Sequence, residues 1–184
     1  MPVVQTEFRD LLIFEPVVHD DSRGYFFESY NKNTLQGFGV TINFVQDNQA
    51  RSVYGVLRGL HYQLEPHPQT KLMRVLDGAI LDVAVDLRKG SPTFGKVYTV
   101  ELSAQNKKQL LVPKGFAHGY SVLSPTAEVF YKCDEFYNKE HEAGINYNDP
   151  YLNIDWKVSP EDAIVSDKDQ VQPTFAECKN NFVY

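Results

Sequence analysis

Two histidines stand in surroundings that could support chemistry. Gly55 precedes His61 by six residues, and His118 closes the run Pro113-Lys114-Gly115-Phe116-Ala117-His118. An imidazole titrates near neutral pH, so it can move a proton or ligate a metal. Around His61 the stretch is dense, Arg58-Gly59-Leu60-His61-Tyr62-Gln63, followed by Lys71-Leu72-Met73-Arg74-Val75. A lysine can stabilise developing negative charge, and an arginine can hold a diphosphate bidentately. No glycine-rich phosphate loop accompanies them. Taken singly, each residue has a plainer reading. A lone histidine is a satisfied core or surface residue, and Tyr131 is one aromatic among 11 tyrosines. Asp169 is a surface acid in Ser166-Asp167-Lys168-Asp169, and Arg23 or Arg58 is a surface ion pair.

The elements that must position these groups are short. Turn chemistry recurs at Asp21-Ser22-Arg23-Gly24, Gly37-Phe38-Gly39, Glu65-Pro66-His67-Pro68, Lys89-Gly90-Ser91-Pro92 and Asn148-Asp149-Pro150. Within 80–88, Leu81, Val83, Val85 and Leu87 share one parity while Asp82, Ala84, Asp86 and Arg88 share the other. That period of two predicts a strand with one buried face. Segments 97–102, 109–112, 118–123 and 128–133 read the same way, and in the last Val129, Tyr131 and Cys133 share a parity. Many short strands between turns predict an all-β sandwich or barrel. Helix is confined to a turn or two at 32–38 and to a capped start at Ser159-Pro160-Glu161-Asp162.

The chain of 184 residues reads as a single domain, 1–184, and 42% hydrophobic residues supply a real core. Eighteen basic against 24 acidic residues, a net −6, argue against a general nucleic-acid grip. No stretch approaches the roughly 20 apolar residues of a membrane span, and 1–16 form no signal-peptide core, so a cytoplasmic protein is expected. Cys133 and Cys178 form no CxxC pair, which fits a reducing compartment.

At both histidines the spacing resembles the cupin barrels, whose boxes read G-x5-H-x-H and P-x-G-x-x-H. Gln63 stands where the second histidine of the first box belongs, and Glu65 comes too early for the acid that follows it. A metal cupin needs about three histidines and a carboxylate on one ion. The expectation is a metal pocket given over to another use, with no metal bound.

The run Arg58-Gly59-Leu60-His61-Tyr62-Gln63 resembles the signature of the dTDP-4-dehydrorhamnose 3,5-epimerases. Further matches run in order along nearly the whole chain. They include Asp21-Ser22-Arg23-Gly24-Tyr25-Phe26-Phe27-Glu28, Phe44-Val45-Gln46-Asp47-Asn48, Asp82-Val83-Ala84-Val85-Asp86-Leu87-Arg88, Tyr131-Lys132 and Ser166-Asp167-Lys168-Asp169. The resemblance implies a cupin-type jelly-roll β-barrel with a few short helices, a homodimer, a dTDP-sugar substrate and no cofactor. It implies His61 as base, Asp169 as its carboxylate partner, Tyr131 as acid, and Lys71 near the sugar's C4 oxygen. It implies substrate contacts from Arg23, Glu28, Gln46, Asp47, Asn48, Arg58, His118, Glu142 and Lys168. Tyr137 would stack on the base, with Phe136 a rival. The same residues would also serve an epimerase of one carbon only. A non-catalytic sugar-nucleotide-binding cupin and a metal-dependent cupin are the readings from other classes. The apolar opening, Leu11-Leu12-Ile13-Phe14 with Val17-Val18, is expected to add to a partner's sheet edge.

Overall fold

The alternating segments fold as strands in a computed structural model that describes residues 2–184. In chain order the elements are β1 (Val3–Gln5), β2 (Leu12–Phe14), β3 (His19–Asp21), β4 (Gly24–Phe26), α1 (Lys32–Gly37), β5 (Gln46–Val53), β6 (Val56–Gln63), β7 (Lys71–Asp77) and β8 (Ala79–Asp86). They continue with β9 (Val97–Ser103), β10 (Gln109–Val112), β11 (Phe116–Val122), β12 (Thr126–Cys133), β13 (Glu142–Gly144), β14 (Ile164–Val165) and α2 (Asp167–Gln170). One sheet runs β1-β2-β10-β7-β12-β5, and the other runs β13-β6-β11-β8-β9 with β14 added in parallel to β6. The β3–β4 hairpin stands apart.

The two large sheets face one another, as a jelly-roll barrel requires. Met73, Val75, Leu110 and Val129 from the first sheet pack with Ile80, Ala84, Leu102, Phe116 and Val122 from the second. The outer faces are covered too. Leu35 of α1, with Tyr30, Val40, Ile42 and Phe44, covers Phe14, Leu72 and Leu111. On the other side Ile145, Leu152, Trp156 and Phe182 cover Leu81, Val83, Val85 and Leu87.

That second cover corrects the expectation of a single buried face at 80–88. The apolar parity packs outward under the later chain, while the polar parity faces the barrel interior, where Asp82, Ala84 and Asp86 are all fully buried. A second correction concerns 11–14. Rather than standing at an edge, β2 pairs with both β1 and β10 of its own chain, and Leu11 and Phe14 are fully buried. A third concerns helix. The helix expected at 32–38 forms, capped by Asn31, but no helix starts at Ser159. The Ser159 hydroxyl donates to Asp162 and accepts from its N–H, closing one turn. The chain is then drawn into the sheet by Ile164 N–H donating to Gly55 O at 2.8 Å. The later serine, Ser166, caps α2 instead.

The polar parity of β8 contains the most heavily bonded carboxylate of the core. Asp86 accepts from the Arg88 backbone and guanidinium at 2.8–2.9 Å and from the Ser91 and Thr93 hydroxyls at 2.7 Å each. The Arg88 guanidinium lies 4.6 Å from the centre of the Phe116 ring and 5.1 Å from that of Tyr184. Burial raises the Asp86 carboxyl, but the bonds from Arg88, Ser91 and Thr93 outweigh it and hold it below the usual range. A depressed carboxylate stabilises above its unfolded value of about 3.9, and that contribution is lost as pH falls through the lower folded value. Asp86→Ala would leave the buried Arg88 only the exposed Asp10, 3.5 Å from its Nη1, so a loss of about 3–5 kcal/mol is expected in urea unfolding at pH 7. A loss below about 1 kcal/mol, the range of an exposed pair, would contradict this reading.

Candidate active site

The site is built around an irregularity in β6. Arg58 pairs with Tyr120 and His61 with His118, so three steps on β6 oppose two on β11. A bulge of this kind re-aims side chains. In a regular strand Arg58 and His61 would point to opposite faces, yet both line one cavity. Glycines make the close approach possible. A Cβ on Gly59, at φ +122°, would fall 2.6 Å from Gly119 Cα, and one on Gly119 would fall 2.6 Å from Arg58 O.

The cavity, about 440 Å³, lies between the facing sheets. Arg58, His61 and His118 enter from one sheet, and Lys71, Met73 and Tyr131 from the other. Ser166, Lys168 and Asp169 close it from the α2 side. A second recess of about 200 Å³ shares His61, Lys71 and Tyr131 and adds Gln46, Asn48, Gln63, Gln69, Tyr137 and Glu142. The two recesses meet at the three side chains they share.

His61 Nε2 lies 2.6 Å from Asp169 Oδ1, a pair assembled from residues 108 apart. Ser166 caps the turn that carries Asp169, and Gly59 N–H donates to the carboxylate's other oxygen at 3.4 Å. Burial pushes the Asp169 carboxyl up, but the His61 bond and charge, with Gly59 and Ser166, hold it below the usual range. An ionised Asp169 accepts the Nε2 proton, which leaves the lone pair of a neutral ring on Nδ1. Tyr131 is pushed up to about 12, mainly by burial, so its phenol keeps its proton at ordinary pH. Lys71 Nζ lies 5.9 Å from the centre of the Tyr131 ring. Burial lowers the Lys71 ammonium, with Cys133, Asp82 and Glu142 acting in the opposite sense.

At the far end Glu142 joins two groups. It accepts from Lys168 Nζ at 2.6 Å and from the Tyr137 hydroxyl at 3.0 Å. Burial raises its carboxyl, and the bonds from Lys168 and Tyr137 bring it below the usual range. Tyr137 lines the recess, whereas Phe136 does not. The position of the missing cupin histidine has its own engagement. The Gln63 amide donates to His67 O and Phe136 O and accepts from Asn138 N–H, so it braces two loops.

Most of the residues singled out by sequence meet here: His61, Lys71, Tyr131, Asp169, Arg58, His118, Lys168, Gln46, Asn48, Tyr137 and Glu142. Three do not. Asp47 lies on the outward parity of β5, bonded to Lys132 Nζ at 2.9 Å, because alternation cannot turn three consecutive residues inward. Arg23 sits on the exposed hairpin, paired with Asp21 at 2.6 Å, and Glu28 is exposed beside Asn31. Asp82 was missed. Its Oδ1 lies 2.6 Å from His118 Nε2, and an acid in the middle of the strand, between Leu81 and Val83, was the available signal.

Comparison with known proteins places nearly the whole chain in one family. The profile of the family described as dTDP-4-dehydrorhamnose 3,5-epimerase matches residues 5–177. The enzyme of that name from Shigella flexneri is 54% identical over 170 residues, covering 92% of this chain and 93% of its own. The crystal structure of the Elizabethkingia anophelis enzyme superposes with a TM-score of 0.93 at 53% identity, covering 98% of this chain and 99% of that one. The Legionella pneumophila structure, in complex with dTDP-4-keto-L-rhamnose, gives 0.91 at 46% identity, covering 96% and 93%. The chain belongs to the dTDP-4-dehydrorhamnose 3,5-epimerase family.

Proposed function

We propose that the chain inverts C3 and C5 of dTDP-4-dehydro-6-deoxy-D-glucose to give dTDP-4-dehydro-L-rhamnose, with no metal or cofactor. The observation that carries the reading is the pairing of a carboxylate-held imidazole on one sheet with a high-pKa phenol on the facing sheet, in one cavity. Both carbons flank the C4 ketone, so loss of either proton gives an enolate. His61 takes the proton from one face of the ring, with Asp169 stabilising the imidazolium that forms. Lys71 and His118 face the C4 oxygen as its charge develops. Tyr131 returns a proton to the other face. His61 then loses its proton to solvent and the phenolate regains one, so the cycle closes without redox change.

Arg58 is assigned to the diphosphate, and Gln46, Asn48, Glu142 and Lys168 to the nucleotide sugar's polar groups. Tyr137 is assigned to the thymine face. The protein works as a homodimer in this reading. Arg23 and Glu28 lie outside their own chain's cleft, on or beside a hairpin that exposes Tyr25 and Phe26. Arg23 supplies the neighbouring subunit's cleft with positive charge for the diphosphate, and Glu28 accepts there from a donor group of the substrate. Sedimentation showing a fully active monomer would overturn that assignment.

The test is incubation with dTDP-4-dehydro-6-deoxy-D-glucose in D2O, with a chelator present throughout. NMR is expected to show deuterium at both C3 and C5 and inversion at both. Inversion at one carbon assigns a monoepimerase, no exchange with retained binding assigns a binding protein, and loss of rate on chelation reversed by metal defeats the cofactor-free reading.

A further inference from the structure

A second histidine–carboxylate pair lies behind the cavity wall. His118 on β11 lines the cavity, and its Nε2 is 2.6 Å from Asp82 Oδ1 on β8. Asp82 is fully buried and His118 is 6% exposed. The strands place them diagonally, since Asp82 pairs with Tyr120 and His118 with Ala84. Asp82 Oδ2 is sealed from solvent and has no hydrogen-bond partner among the described residues. A buried carboxylate with a bare oxygen is costly unless positive charge faces it. Two groups can supply that charge: His118 in contact, and Lys71, on which the Asp82 charge acts.

We infer that Asp82 is a positioning residue, holding His118 by Nε2 so that Nδ1 faces the sugar. Its charge also steadies a ring that has taken a second proton from solvent, so that Nδ1–H donates to the C4 oxygen beside Lys71 as that oxygen turns negative. Asp82 does not touch the substrate; it acts through His118. The inference rests on the epimerase reading above. It adds to it a shared counter-ion for the two groups around the developing oxyanion, separate from the Asp169 carboxylate that serves the base. One carboxylate thus orients the proton acceptor, and another prepares the place where charge collects.

Asp82→Asn keeps the side chain's size and removes its charge. It is expected to lower kcat roughly 10–100-fold, the scale for outer-shell partners of a functional histidine. KM and the dissociation constant for dTDP are expected to stay within about 2-fold, and so is any further loss when the change is added to His118→Asn, because residues acting through one another do not add. Unchanged kcat in Asp82→Asn, or a full multiplicative loss in the double variant, would overturn the inference. Failure of the wild-type protein to exchange either carbon would instead overturn the epimerase reading. Should Asp82→Asn not fold, NMR of wild-type protein carrying nitrogen-15 histidine decides. The His118 resonance, identified by its loss in His118→Asn, is expected to show the proton on Nε2. A neutral ring protonated on Nδ1 would overturn the inference.

Discussion

His61→Asn is expected to lower turnover by roughly 10²–10⁴-fold, the usual contribution of a positioned general base. The geometry explains why the loss falls on turnover rather than on binding. His61 lines both recesses, but the groups assigned to hold the substrate, Arg58 and Lys168 in one and Tyr137, Glu142, Gln46 and Asn48 in the other, remain in place without it. Asparagine can still donate toward Asp169, so the buried carboxylate keeps a partner and the fold is retained. It has no basic nitrogen, so enolate formation slows at both carbons. Isotope exchange at C3 and C5 should therefore fall together with inversion, and the dissociation constant for dTDP should barely change. A variant with near-native exchange at both carbons would remove His61 from the role of base.

Tyr131→Phe is expected to separate two events that His61→Asn slows together. The substitution keeps the ring and deletes the phenol, so packing against Met73 and Val129 should change little. With the phenol's pKa near 12 in the native protein, the group lost is a proton donor and not a base. His61 still forms the enolate, and Lys71 and His118 still face its oxygen. The proton then returns mostly to the face it left. Solvent deuterium should enter C3 and C5 with retention, while the inverted product falls much further than exchange does. The measurement is the ratio of exchange to inversion against wild type. If both rates fall alike, or neither falls, Tyr131 is not the opposite-face acid.

What could be read from the residues was what depends on near neighbours. The strands at 97–102, 109–112 and 128–133 and the helix at 32–38 follow from alternation, turn residues and caps. The covering of Leu81, Val83 and Val85 was not legible, because Leu152, Trp156 and Phe182 lie in irregular chain with no periodicity to announce it. Ser159 and Ser166 carry similar capping chemistry, and the choice between them is made by the pairing of Ile164 with β6. The shared orientation of Arg58 and His61 needs the bulge, for which Gly59 was the one local hint. Asp169 as partner of His61 came from the family resemblance alone, since a contact across 108 residues leaves no trace in spacing. Asp47 shows the opposite limit. It lies within a matching motif, but strand geometry turns it outward.

The late chain between Ile145 and Phe182 both covers the outer face of β8 and carries Asp169 to His61. This has a consequence for the order of synthesis. While a ribosome is still making that stretch, the emerged barrel strands present a bare aliphatic face built from Leu57, Leu60, Leu81, Val83 and Val85. A nascent chain in that state exposes the surface on which chaperones and neighbouring chains act. Its His61 meanwhile has no carboxylate to orient it. Protection from aggregation and competence for proton transfer are therefore acquired together, in the same final stage of folding.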